Sequence, residues 1–139
     1  MISVPTFSTS RSEIAGLSIT ELAEKFGTPT YVYDQSLIDQ RISDLAQFDV
    51  VRYAQKACSN LAILDRMRRR GVTVDAVSAG EIQRAIAAGF STDPKQGEIV
   101  YTADIFDREA LDLVAEHSLQ VNCGSPDMIS QLGERRPGA

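Results

Sequence analysis

The stretch Phe48-Asp-Val-Val-Arg-Tyr-Ala-Gln-Lys-Ala-Cys-Ser-Asn60 decides the fold. Residues 50–56 read as a β-strand, and Ser59 or Asn60 can cap a helix that carries Leu61, Leu64 and Met67 and stops at Gly71. Strand period two puts Val50, Arg52, Ala54 and Lys56 on one face and Val51, Tyr53 and Gln55 on the other. Lys56 then falls at the C-terminal end of a strand that feeds a helix, the end at which parallel α/β sheets build their sites. An amine desolvated there can attack an aldehyde. A lysine that merely snorkels out of a strand end needs no such role.

The same strand-then-helix pattern repeats downstream. Residues 72–77 form the next strand, and Ser78-Ala-Gly-Glu81 reads as a capping box for a helix that carries Ile82, Ala85 and Ile86 and ends at Gly89. A third strand is predicted over 98–102 with a helix over 107–117, and a fourth over 119–122 with a short helix over 126–132. Four consecutive βα units with short connections imply parallel strands and right-handed crossovers. That alternation fits a doubly wound sheet or part of a (β/α)8 barrel, which in full takes about 250 residues. No G-x-G-x-x-G follows any strand, so a dinucleotide fold has little support.

Upstream the chain is less regular. Residues 1–17 are polar and aperiodic and read as a loose leader. Ser18-Ile-Thr-Glu21 reads as a capping box, opening a helix through Phe26 that Gly27 and Pro29 stop. Thr30-Tyr-Val-Tyr33 reads as a short strand, and Asp34 as the cap of a helix over 35–47 with Leu37, Ile38, Ile42 and Leu45 on one face. The expected organisation is a leader over 1–17, a lead-in over 18–47 and a partial barrel over 48–139.

Composition narrows the class. The 139 residues are 43% hydrophobic and 24% charged, with a formal net charge of -5. That balance argues against a general nucleic-acid binder, and Arg66 with Arg68, Arg69 and Arg70 suits a solvated helix end. The first 20 residues lack the basic start and apolar run of a signal peptide, and no stretch approaches the roughly 18 apolar residues of a membrane span. Cys58 and Cys123 are too few for a disulfide framework and lack metal-ligand spacing, so a cytoplasmic protein without a metal site is expected.

The wording of the central stretch carries a resemblance. Tyr53-Ala-Gln-Lys-Ala-Cys-Ser-Asn60 resembles the Y-A-x-K-A-x-x-N signature of fold-type III enzymes dependent on pyridoxal 5'-phosphate (PLP), a family that includes alanine racemase and the basic amino-acid decarboxylases. Phe26-Gly-Thr-Pro-Thr-Tyr-Val-Tyr-Asp34 is similar to its F-G-x-P-x-Y-V-Y-D opening, and Asp75-Ala-Val-Ser-Ala-Gly-Glu81 to its D-x-V-S-x-G-E segment. Ile99-Val-Tyr-Thr-Ala-Asp104 and Val121-Asn-Cys-Gly-Ser125 are similar to its third and fourth strand ends. The similarity runs in order over residues 18–139. The common form of the lysine motif reads V-K-A-N; the departures at Gln55 and Cys58 match the version associated with bacterial diaminopimelate decarboxylases.

The resemblance implies an α/β fold, the N-terminal half of an alanine racemase-like, PLP-binding (β/α)8 TIM barrel. It implies that Lys56 holds the cofactor covalently, with Ala54, Asp75 and Glu81 beside it. Glu81 has a second explanation, since with Ser78 it completes a capping box. Asp75, a carboxylate in an otherwise apolar strand, needs a partner. His117 falls at a helix end and reads as a surface residue. The implied parent activity is decarboxylation of meso-2,6-diaminopimelate to L-lysine, with an amino-acid substrate and a homodimer for the full-length family member. The alternatives are an ornithine or arginine decarboxylase, an amino-acid racemase, or a non-catalytic PLP-binding protein. The family's phosphate-binding glycine loop, its glutamate for the pyridine nitrogen and its C-terminal β domain have no counterpart in these residues. A truncated chain, inactive alone, is therefore expected. Its barrel would be open, with an exposed apolar face, and it should associate or be unstable.

Overall fold

The computed structural model describes residues 11–138, in two compact units divided between Asp44 and Leu45. No helix among the described residues is long and apolar enough to cross a membrane.

In the first unit, β1 (Glu13–Ile14) and β2 (Leu17–Ser18) form an antiparallel ribbon. Its two-residue turn, Ala15-Gly16, has φ of 53° and 76°. Positive φ at both central positions gives the twist that such a tight hairpin needs. This corrects the expected leader, of which residues 1–10 lie outside the described residues. The signal was a lone Ala-Gly between two very short apolar-polar pairs. Helix α1 (Ile19–Phe26) starts where expected, but Ser18 makes no side-chain capping bond. Gly27, at φ 79°, donates its N–H to the Ala23 carbonyl at 2.8 Å and ends the helix.

No strand forms at Thr30-Tyr-Val-Tyr33. A strand needs a laterally paired neighbour, and none of the described strands runs beside this segment, where Tyr31 is 90% exposed. Helix α2 (Gln35–Asp44) is shorter than expected. Its cap is Asp34, whose Oδ1 accepts from the Ser36 N–H at 2.8 Å and hydroxyl at 2.6 Å. That hydroxyl bond is the main reason the Asp34 carboxyl sits below the usual carboxylate range. Neither α1 nor α2 buries a residue fully.

The second unit holds the regular pattern. Strands β3 (Arg52–Ala54), β4 (Thr73–Ala76), β5 (Ile99–Ala103) and β6 (Gln120–Cys123) pair in parallel in the order of the chain. Helices α3 (Leu61–Arg69), α4 (Ala79–Ala87), α5 (Arg108–Glu116) and α6 (Pro126–Arg135) alternate with them, each packed beside the next. A doubly wound sheet reverses direction at a switch point. This sheet never does, so the two readings left open by the βα alternation resolve to an arc of a (β/α)8 barrel.

The core lies between sheet and helices. Val74, Ala76, Ile99 and Tyr101 meet Leu64, Met67, Ile82, Ala85, Ala110, Val114 and Met128, all buried. Each helix begins just beyond a strand end with a side chain that accepts a free backbone N–H. These caps are Asn60 to Ala62, Ser78 to Glu81, Asp107 to Ala110 and Ser125 to Met128. His117 caps the C-terminus of α5 and is half-buried.

The opposite face of the sheet is not the apolar surface expected of an open barrel. Arg52, Ala54, Gln120 and Asn122 are exposed on it, Thr73, Asp75 and Thr102 are half-buried, and Val100 is its one buried aliphatic. Arg52 donates to the Gly97 carbonyl at 2.9 Å and the Thr73 hydroxyl at 3.3 Å. Such a face is solvated rather than sticky.

Candidate active site

The strand expected to run through residue 56 stops at Ala54. Residues Gln55–Ala57 turn in a single 3-10 coil, after which Cys58 is extended and Asn60 caps α3. Lys56 is therefore carried on a turn just past the strand, not on the strand face with Arg52 and Ala54. A contact distant in sequence accompanies this turn. Gln55 is wholly buried, and its Nε2 donates to the Glu81 carbonyl in α4 at 3.0 Å. Across the turn, the Tyr53 hydroxyl donates to the Cys58 carbonyl at 2.9 Å. Burial, assisted by the nearby Cys58 sulfur, holds the Tyr53 hydroxyl above its ordinary pKa.

Lys56 stands at the rim of an open cleft of about 640 Å³ across the C-terminal ends of the strands. Its walls include Asp75 and Val77 from β4 and the residues after it, Thr102 and Asp104 at the end of β5, and Asn122 and Gly124 at the end of β6. The Asn122 side-chain amide donates to the Thr102 hydroxyl at 3.0 Å. One oxygen of Asp75, Oδ1, is buried and has no hydrogen-bond partner. A buried acceptor left empty is costly. Beneath the lip, the Tyr101 hydroxyl donates to the Ile105 carbonyl at 3.2 Å, and its ring stacks on Phe106 with centroids 5.2 Å apart. Burial raises the Tyr101 pKa, and the carboxylates of Asp107 and Glu81 add to the effect.

Of the residues expected around the cofactor, Lys56 and Asp75 face the same cleft. Ala54 is the direct register partner of Asp75 on the neighbouring strand and is not among the residues lining the cleft. Glu81 is engaged elsewhere: its Oε2 accepts from the Val77 N–H at 2.9 Å, and its own N–H donates to the Ser78 hydroxyl at 3.3 Å. The capping-box explanation of Glu81 holds, with the carboxylate reaching one residue before the cap. Thr102, Asp104, Asn122 and Gly124 lie inside the two strand-end segments noted in the sequence, which by themselves give none of the four a role. Their signal was positional, since each lies at or just past the C-terminal end of a parallel strand.

The residue types fit a pyridoxal group. A primary amine can bond an aldehyde, an unsatisfied carboxylate oxygen can take a proton or cationic nitrogen, and hydroxyl and amide groups line the wall.

Known proteins agree with this geometry. Residues 35–139 match the family model described as pyridoxal-dependent decarboxylase, pyridoxal binding domain. The diaminopimelate decarboxylase of Escherichia coli K12 is 48% identical over 127 residues, covering 91% of this chain and 30% of that enzyme. A crystal structure of diaminopimelate decarboxylase superposes with a TM-score of 0.84 at 48% identity, over 95% of this chain and 31% of the other. The diaminopimelate decarboxylase from M. jannaschii in co-complex with L-lysine gives 0.80 at 27% identity, over 88% and 30%. The chain thus spans about a third of the length of these relatives. With a lysine at the lip of an unreversed parallel sheet and a family match over residues 35–139, the chain belongs to the pyridoxal-dependent decarboxylases, in their pyridoxal binding domain.

Proposed function

We propose that Lys56 is the covalent anchor for pyridoxal phosphate and that the protein takes part in decarboxylation of meso-2,6-diaminopimelate to L-lysine. The observation that carries the site assignment is that Lys56 and Asp75, a carboxylate with one unpartnered buried oxygen, line one cleft at the strand ends. The substrate assignment rests on the relatives. An amino-acid substrate, a homodimer and a cytoplasmic location go with the same family reading.

The bound cofactor supplies an electron sink for the bond broken at the substrate α-carbon. This chain's residues do the holding and the proton handling. Lys56 would hold the cofactor through its Nζ, and the same amine would carry protons at that point of the cleft. Asp75 would supply a carboxylate to the same cleft. Thr102 and Asn122 would offer a hydroxyl and an amide to one wall, beside the apolar side chains of Val77 and Ile105.

Borohydride reduction after incubation with pyridoxal phosphate, followed by peptide mapping, tests the anchor. The chain has only Lys25, Lys56 and Lys95, so selectivity is easily read. Label concentrated on Lys56 is expected; label shared evenly among the three would end the assignment. For the substrate, residues of this chain would replace the matched segment of the E. coli enzyme. Release of carbon dioxide from diaminopimelate is expected, and turnover of ornithine or arginine instead would favour the other decarboxylase reading.

A further inference from the structure

We propose that Gln55 is a positioning residue: its buried amide fixes the turn that carries Lys56 onto the first turn of α4, and so sets the approach of the lysine to the cofactor aldehyde. This rests on the assignment of Lys56 above.

Gln55 is an unexpected residue for its place. Its side chain is 0% exposed, its Nε2 makes one hydrogen bond, to the Glu81 carbonyl at 3.0 Å, and its Oε1 has no partner. A buried amide that leaves an acceptor empty is a poor way to gain stability. A methionine of similar length would fill the space without the empty oxygen. The Glu81 carbonyl, inside a helix, does not need Gln55 either, because residue 85 supplies a helical N–H to it. What the amide adds is direction. Its one bond joins the 3-10 turn of residues 55–57 to α4.

Glu81 is the meeting point of that link. Its carboxylate accepts from the N–H of Val77, which lines the cleft two residues after Asp75, and its N–H is held by Ser78. Through Gln55, the turn bearing Lys56 shares one anchor with the strand end bearing Asp75. A second, exposed tie runs from the Arg84 guanidinium to the Ser59 carbonyl at 3.1 Å, just beyond the turn. The Tyr53 to Cys58 bond closes the turn on itself but leaves its orientation free. Gln55 is the buried link that fixes this orientation relative to the cleft wall.

The test uses the full chain with Gln55→Met and Gln55→Asn, the second keeping the amide but one methylene too short to reach. Three quantities are measured: thermal midpoint, the rate of borohydride-trapped labelling of Lys56 by pyridoxal phosphate, and acetylation of Lys56 by acetic anhydride. The last needs an available amine but no particular orientation. The expected result for Gln55→Met is a midpoint equal to or above that of the unaltered chain and unchanged acetylation. Trapping by pyridoxal phosphate should fall about fivefold, roughly the worth of one hydrogen bond. Gln55→Asn should show the same loss of trapping. Equal trapping in the three chains overturns the proposal while leaving Lys56 as the anchor. Unfolding of both variants, or a parallel fall in acetylation, makes Gln55 a structural residue and also overturns it. No preference for Lys56 in the unaltered chain sinks the anchor and this proposal together.

Discussion

Replacing Gly124 by alanine tests whether the ends of β5 and β6 meet as closely as described. A Cβ at this position would lie 2.7 Å from Asp104 Oδ1, 2.9 Å from the Ala103 carbonyl oxygen and 3.0 Å from Asp104 Cα. Carbon atoms pack best at about 3.5–4.0 Å, so the approach to Asp104 Cα is short by about half an ångström or more. The Asp104 side chain can swing away, but the other two atoms belong to the backbone. The strand ends must therefore part. Overpacking of this kind costs about 1–3 kcal/mol. For a chain of this size that lowers the thermal midpoint by on the order of 5–10 °C. Circular dichroism melting would measure it. Because Asp104 and Gly124 both line the cleft of Lys56, trapping of pyridoxal phosphate should weaken in the same variant. A midpoint within a degree of the unaltered chain would refute the close contact and with it the described lip of the site.

Ile82→Ala removes a side chain that is 0% exposed between α4 and the sheet, and should cost about 2–5 kcal/mol in urea unfolding; a loss under about 1 kcal/mol would remove Ile82 from the core. Asp107→Ala deletes the acceptor of the Ala110 N–H at 2.7 Å and should cost about 1 kcal/mol, whereas Asp107→Ser should restore most of it. Alkaline pH should weaken the fold through Tyr53 and Tyr101. Both hydroxyls are raised by burial, so the unfolded chain releases these protons first; their contribution is complete below pH 10.0 and is lost as pH rises through the folded values. Tyr101→Phe should flatten part of that decline in urea midpoint above pH 10.0, and an equally steep decline would discount the residue.

The βα units were legible because each carries two independent signals: an apolar run for the strand and a capping side chain directly after it. Asn60, Ser78, Asp107 and Ser125 all sit at such junctions. The direction of winding was not legible, since alternation alone does not say whether the chain reverses across the sheet. Lys56 and Asp75 could be picked out as chemistry, yet the turn that presents Lys56 could not. A strand-like run continues through Gln55 in the sequence, and the contact that accompanies the turn there, the bond to Glu81, is distant in sequence. The upstream strand at Thr30-Tyr-Val-Tyr33 failed for a related reason. Its composition favours β structure, but a strand exists only beside a partner, and composition does not report the partner. The polar character of the open face is not legible along any one strand, because Arg52, Thr73 and Gln120 come onto one face only through the register between strands.

The unreversed order of the sheet bears on how the chain reaches its structure. Arg52 pairs with Thr73, Val74 with Ile99 and Val100 with Gln120, so every strand docks on the one made just before it. After β3, each strand of the sheet finds its partner already made. Contacts of short sequence separation close small loops and favour rapid folding. In synthesis from the N-terminus, each βα unit after the first has its neighbouring strand already made. The Lys56 turn, lodged between β3 and α3 and tied to α4, is set by the time the second unit is complete. The cleft walls at Thr102 and Asn122 are then added to a lysine that already has its place.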